Sequence, residues 1–129
     1  MIKAEDLRIG DIVRYGKNTI TILAVHANGG VCFTDGKDQL YAEDVLLEPI
    51  LLTPEILEKN GWKKRTEGWY FMMISKYMYL SVEFGYENGI RVFLKRTTDG
   101  LYVKLNVANN VHELQHILWA LGLDANLKI

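Results

Sequence analysis

Between positions 68 and 107 four runs, 68–74, 76–84, 90–96 and 101–107, are separated by turn signals that include Asn88-Gly89 and Asp99-Gly100, and the last three runs alternate core-type with outward-type residues. A period of two excludes an amphipathic helix, whose apolar stripe returns every three to four residues. Asn-Gly and Asp-Gly accept the positive φ of tight hairpin turns. The stretch is therefore predicted to be a four-stranded antiparallel meander. Met78, Leu80, Val82 and Phe84 point to one face, joined by Ile90, Val92 and Leu94 and then by Leu101, Val103, Leu105 and Val107. A face this apolar needs a cover.

The cover is predicted from the C-terminal region. Val111, Leu114, Ile117, Leu118 and Leu121 repeat at helical spacing after Asn109-Asn110 and stop near Gly122. An earlier helix is expected at about 54–60, with Thr53 as N-cap, Pro54 in the first helical position, Glu55 in the first turn and Asn60-Gly61 as the stop. Before it lie short strand candidates: 11–15, 19–25, 31–34 and, more weakly, 39–41 and 45–47. Asn28-Gly29-Gly30 and Asp35-Gly36 separate them. Strands this short, with turns this close, predict a small curved sheet of SH3-like order. The fold class is α+β: a β-barrel-like unit over 1–50, then a unit over 51–129 of helix, meander and C-terminal helix, packed as one compact domain.

Net charge excludes bulk electrostatic DNA binding, because the 129 residues sum to −1. The charge is nonetheless uneven: residues 1–50 hold 5 Lys/Arg against 8 Asp/Glu, and residues 51–129 hold 10 against 8. Any anion-binding surface is expected in the second part. The lone Cys32, between Val31 and Phe33, reads as a buried strand thiol in a reducing compartment. The longest apolar stretches, at 71–74 and 117–121, fall far short of a membrane span, and positions 1–6 lack a signal peptide's apolar core. A cytoplasmic protein without membrane contact is expected. No phosphate loop, nucleophile elbow or C-x-x-C motif is present, and no cofactor is predicted.

His112-Glu113-Leu114-Gln115-His116 matches H-E-x-x-H, in which two histidines one turn apart hold zinc and the glutamate serves as general base. On that pattern His112 and His116 are metal-ligand candidates and the chain a zinc hydrolase. A third ligand is wanting: Asp124 is the only later carboxylate side chain, and His26 lies in the predicted barrel. The same residues also read as a capping box, Asn110 capping the helix and Glu113 closing it. That reading is preferred, and no catalytic residue is assigned.

The other face of the meander interleaves rings and cations. Tyr77, Tyr79, Ser81 and Glu83 alternate with the core residues on one strand, Arg91, Phe93 and Lys95 on the next, and Tyr102, Lys104 and Asn106 on the last. Aromatic faces stack bases while Lys/Arg neutralise phosphate. The ligand-binding candidates are therefore Tyr77, Tyr79, Phe93, Tyr102, Arg91, Lys95 and Lys104. Aromatics and Arg also mark protein interfaces, so burial against the barrel or a second copy is the competing expectation. Lys63-Lys64-Arg65, beside Trp62 and Trp69, reads as a solvated turn that extends such a site at most, and the two tryptophans as anchors at the edge of the core.

The segments 4–13, 48–54 and 111–121 resemble the signatures of small uncharacterised proteins of gut Bacteroidales and their phages and prophages. That group's pattern keeps Val-His and Leu-Gln in the last segment and varies at the positions of Glu113 and His116, which weakens the zinc reading. The resemblance implies a mobile-element context and no particular activity. The expected function is a non-enzymatic accessory protein that binds a host or phage protein or itself as a homodimer. The alternatives are capture of a nucleotide or single-stranded nucleic acid on the aromatic face, and zinc hydrolysis.

Overall fold

The structure, a computed structural model, describes residues 2–42 and 47–129. Strands β1 (Ile12–Tyr15), β2 (Asn18–Val25), β3 (Val31–Thr34), β4 (Gln39–Ala42) and β5 (Leu47–Glu48) form one antiparallel sheet in the order β4-β3-β2-β1-β5. The first strand thus lies between the second and the last. Of the strand expected at 45–47, positions 45 and 46 lie outside the described residues. A bulge between Ile22 and Ala24 bends β2, and bending lets so few strands wrap a core. Val13, Ile20, Ile22, Val31, Phe33 and Leu47 fill it, none more than 1% exposed.

Helix α1 (Pro54–Lys59) forms where the sequence places it, and the Thr53 Oγ1 accepts from the Ile56 N–H at 3.3 Å. The second sheet follows, with β6 (Lys63–Thr66), β7 (Trp69–Met73), β8 (Met78–Glu83), β9 (Arg91–Arg96) and β10 (Tyr102–Lys104) in sequential order. It has five strands rather than the expected four, because Lys63–Thr66 is a strand and not a turn. All four of its residues are exposed, so no apolar alternation betrays it. Backbone pairing to β7, with a bulge between Lys64 and Thr66, makes it a strand.

Helix α2 (Val111–Ala120) covers the meander as predicted: Val111, Leu114, Ile117 and Leu118 pack on Leu80, Val82 and Val92. The cover stops short of β10, where Leu101 and Val103, both expected in the core, remain 61% and 62% exposed. Residues 123–128 complete this core instead. Ala125 and Leu127 enter it, and the Asn60 side chain holds the Lys128 backbone N–H and C=O at 2.7 Å each. Among the described residues the chain is thus an α+β fold of two five-stranded antiparallel sheets and two α-helices. No helix among them is long and apolar enough to cross a membrane.

The two sheets meet through the segment before β1 and one turn of α2. Gln115, 1% exposed, accepts the Ile12 N–H at 2.9 Å and donates to the carbonyls of Gly10 and Ala125 at 3.0 Å. Gly10, at φ +94°, lies against Trp119, and a Cβ there would stand 2.9 Å from its ring. Gln115→Leu keeps the volume but strands three backbone groups. With each buried orphan costing about 1–3 kcal/mol, the variant is expected to lose at least about 3 kcal/mol in urea unfolding. A loss under about 1 kcal/mol would show that water replaces the amide.

Candidate functional site

The H-E-x-x-H residues sit at that junction. His116 directs Nε2 to both carboxylate oxygens of Asp11, at 2.8 and 3.0 Å, and stacks on Trp119 at 5.8 Å. Asp11 is fully buried and also accepts the Arg8 N–H at 2.8 Å. His112 is 7% exposed, its ring edge-on to His116, and its Nδ1 is buried without a hydrogen-bond partner. The remaining ligand candidates face other partners: His26 contacts Cys32 Sγ at 3.4 Å, and Asp124 accepts the Asn126 N–H at 2.9 Å. Among the described residues no group of three or more His, Cys, Asp or Glu side chains is arranged to hold a metal ion. Through His116 the motif thus ties α2 to the start of β1. The capping box takes a different form from the expected one: Asn110 stands at the N-cap without bonding the helix backbone and donates to the Glu113 carboxylate at 2.7 Å.

The outer face of the second sheet gathers most of the predicted ligand residues. Cross-strand partners share a face. The register pairs Lys63 with Phe71, Phe71 with Ser81, Trp69 with Glu83, Glu83 with Arg91, Tyr79 with Lys95, Lys95 with Tyr102, and Phe93 with Lys104. The first sheet docks through α2 on the other side of this sheet, so the expected burial of the aromatic face against the barrel does not occur. Trp69 and Tyr102 are 37% and 64% exposed there. Two predicted residues fall short of a stacking role. Phe93 is 7% exposed, lying under the Tyr102 ring edge at 5.5 Å. Tyr77 belongs to the turn before β8, with the Lys76 ammonium 5.7 Å from its ring.

The chemistry centres on Glu83, 2% exposed on a face otherwise cationic. Its carboxylate accepts from Ser81 Oγ at 2.8 Å, Tyr86 Oη at 3.2 Å and Lys95 Nζ at 2.8 Å. Lys95 Nζ in turn lies 5.2 Å from the Trp69 ring and 5.3 Å from that of Phe93. Arg91 stacks on Tyr86 at 4.0 Å and keeps a buried Nε without a partner. Arg65 donates to Tyr79 Oη at 2.9 Å, fixing that ring beside Phe71. Among the described residues the face therefore holds its one carboxylate buried and neutralised beneath Lys95, while Lys63, Arg65 and Lys104 stay exposed. A surface of rigid rings and free cations can stack planar groups and neutralise anions.

Sequence reasoning left Trp69 and Arg65 out of the ligand-binding set, placing them in or beside a solvated turn that extends the site at most. Trp69 carries a signal, since it opens a strand in phase with Phe71. Arg65 carries none without the β6–β7 register. No protein-family model matches the chain, and neither the curated proteins nor the solved structures contain a match.

Lys95→Ala is expected to destabilise the fold by about 3 kcal/mol, because it leaves a buried carboxylate without its counter-ion. The double variant Lys95→Ala, Glu83→Gln should recover much of that loss in urea melts. A single variant as stable as the parent would show that Glu83 is solvated.

Burial pushes the His112 imidazole below its ordinary value of 6.5, against the opposing pull of Asp11 and Glu113. A depressed base means that the unfolded chain takes up the proton first. This group's contribution is complete above the ordinary value and is lost as pH falls through it towards the folded one. Unfolding free energy should therefore drop on acidification below about pH 6.5, by at most about 1.4 kcal/mol per unit for one group. His112→Leu should flatten that slope, and an unchanged slope would assign it to other residues.

Proposed function

We propose that this protein binds single-stranded nucleic acid or a nucleotide on the outer face of its second sheet, as a non-enzymatic accessory protein of a phage or prophage. One observation carries the reading. Exposed rings, Trp69 and Tyr102, share with the exposed cations Lys63, Arg65 and Lys104 a face whose only carboxylate among the described residues, Glu83, is buried and paired. Each stacked base contributes about 1–3 kcal/mol, and every base has a π face, so such a platform tolerates sequence. The mobile-element setting rests on the resemblance of the terminal and central segments alone.

Burial of this face against a second copy of itself is the weaker reading. Face-to-face packing would bring two sets of free cations together with no carboxylates to answer them, and like charges across an interface cost several kcal/mol. A single strand brings the missing negative charge.

The test is fluorescence anisotropy with a labelled oligothymidylate. Trp69→Ala is expected to weaken binding about tenfold, equivalent to about 1.4 kcal/mol. Lys63→Glu with Lys104→Glu should lower the slope of log affinity against log salt by about 1.4, at about 0.7 per phosphate contact on a single strand. Binding untouched by all three substitutions, or no binding at low salt, would refute the proposal.

A further inference from the structure

The two edges of the second sheet are built differently. β6 presents Lys63, Lys64 and Arg65, all exposed, and charge of this kind keeps foreign strands off an open edge. At the opposite edge, Leu101, Tyr102 and Val103 are 61%, 64% and 62% exposed, and only Lys104 guards them. An apolar edge left this open invites a strand.

The backbone is set for one. Arg96 N–H donates to the Leu101 carbonyl, and Leu105 N–H to that of Val92, each at 2.8 Å, while Val103 faces Leu94. Leu101, Val103 and Leu105 therefore direct their backbone groups to β9. In an antiparallel ladder the intervening residues direct theirs the other way, so Tyr102 and Lys104 offer N–H and C=O to the open edge.

We infer that the occupant is β10 of a second copy, antiparallel about a two-fold axis through Val103. In that register Tyr102 of one copy opposes Lys104 of the other, twice over. These are the residues whose backbone groups are free, so both exchange a full pair of hydrogen bonds. Their side chains lie on the outer face, where each ammonium meets a phenol ring rather than another ammonium. A shift that opposed Lys104 to itself would set like charges side by side.

On the inner face the same register sets the second copy's Leu101 beside Leu105. Leu105 lines an open groove of about 650 Å³ whose floor includes Val107, Ile117 and Leu121. α2 leaves that groove uncovered, and the incoming leucine extends the core into it. The product is a continuous ten-stranded sheet, with helices on one side and both aromatic faces on the other.

Sedimentation velocity on the full chain, without ligand, tests this. The parent should sediment at twice the monomer mass. Lys104→Pro removes an edge N–H that the monomer does not use, and Tyr102→Lys opposes two ammonium groups; both are expected to give folded monomers by circular dichroism. Tyr102→Glu, which faces Lys104 in this register and itself in the neighbouring one, should remain dimeric. A parent that stays monomeric up to its solubility limit overturns the inference and leaves the edge to a foreign strand. A dimer that survives Lys104→Pro and Tyr102→Lys overturns it too, because the copies would then meet elsewhere. Dissociation by Tyr102→Glu overturns the register.

Discussion

Two buried polar side chains hold the halves of this molecule in register. Asp11 is fully buried and Gln115 is 1% exposed, and between them they tie the start of β1 to the middle of α2. Burying such groups is unfavourable unless every hydrogen-bonding position is satisfied. Gln115 meets that demand with one accepted and two donated bonds to backbone, and Asp11 with the Arg8 N–H and His116. An apolar contact here would tolerate sliding, whereas this set of partners permits one seating. Gly10 sharpens the constraint by letting the Trp119 ring approach where a Cβ would collide. The docking sends the first sheet to α2 and leaves the outer face of the second sheet open, so the candidate site exists because of contacts made on the other side of the sheet.

That dependence explains which parts of the molecule its sequence declared. Local signals were legible: the alternation of β8 and β9, the Thr53-Pro54 opening of α1 and the apolar stripe of α2 each follow from residues close in the chain. The strand at Lys63–Thr66 was not legible, since its side chains are all exposed and only pairing with β7 defines it. The end of the meander was misread for a related reason. Alternation assigns Leu101 and Val103 to the covered face but cannot tell how far a ten-residue helix reaches across a five-stranded sheet.

The site shows the same division. Period two places Tyr79, Arg91, Lys95, Tyr102 and Lys104 on one face, and they share it. Burial within that face depends on how side chains of the same and adjacent strands lean over one another, so the sequence could not show that Phe93 lies beneath Tyr102 or that Glu83 is enclosed by Ser81, Tyr86 and Lys95. H-E-x-x-H misled in a different way. Its spacing places two imidazoles on one helical face, yet a ligand's function depends on what the lone pair meets. His116 Nε2 meets the Asp11 carboxylate, contributed from 105 positions earlier in the chain.

Glu83 bears on what the outer face is for. A carboxylate among so many cations would normally sit at the surface, where pairing adds little and water does most of the solvation. Here it lies under Lys95, whose ammonium faces Trp69 and Phe93. Stability alone does not account for burying that pair, because apolar residues of similar volume often serve as well or better. What the pair adds is position: it fixes Lys95 against the Trp69 ring and satisfies the carboxylate inside the protein, so that the charge the face presents to solvent is positive. A surface made for burial against another protein would gain from exposing that carboxylate to answer the cations. One made to receive an anion, as proposed above, gains from hiding it, and Glu83 is 2% exposed.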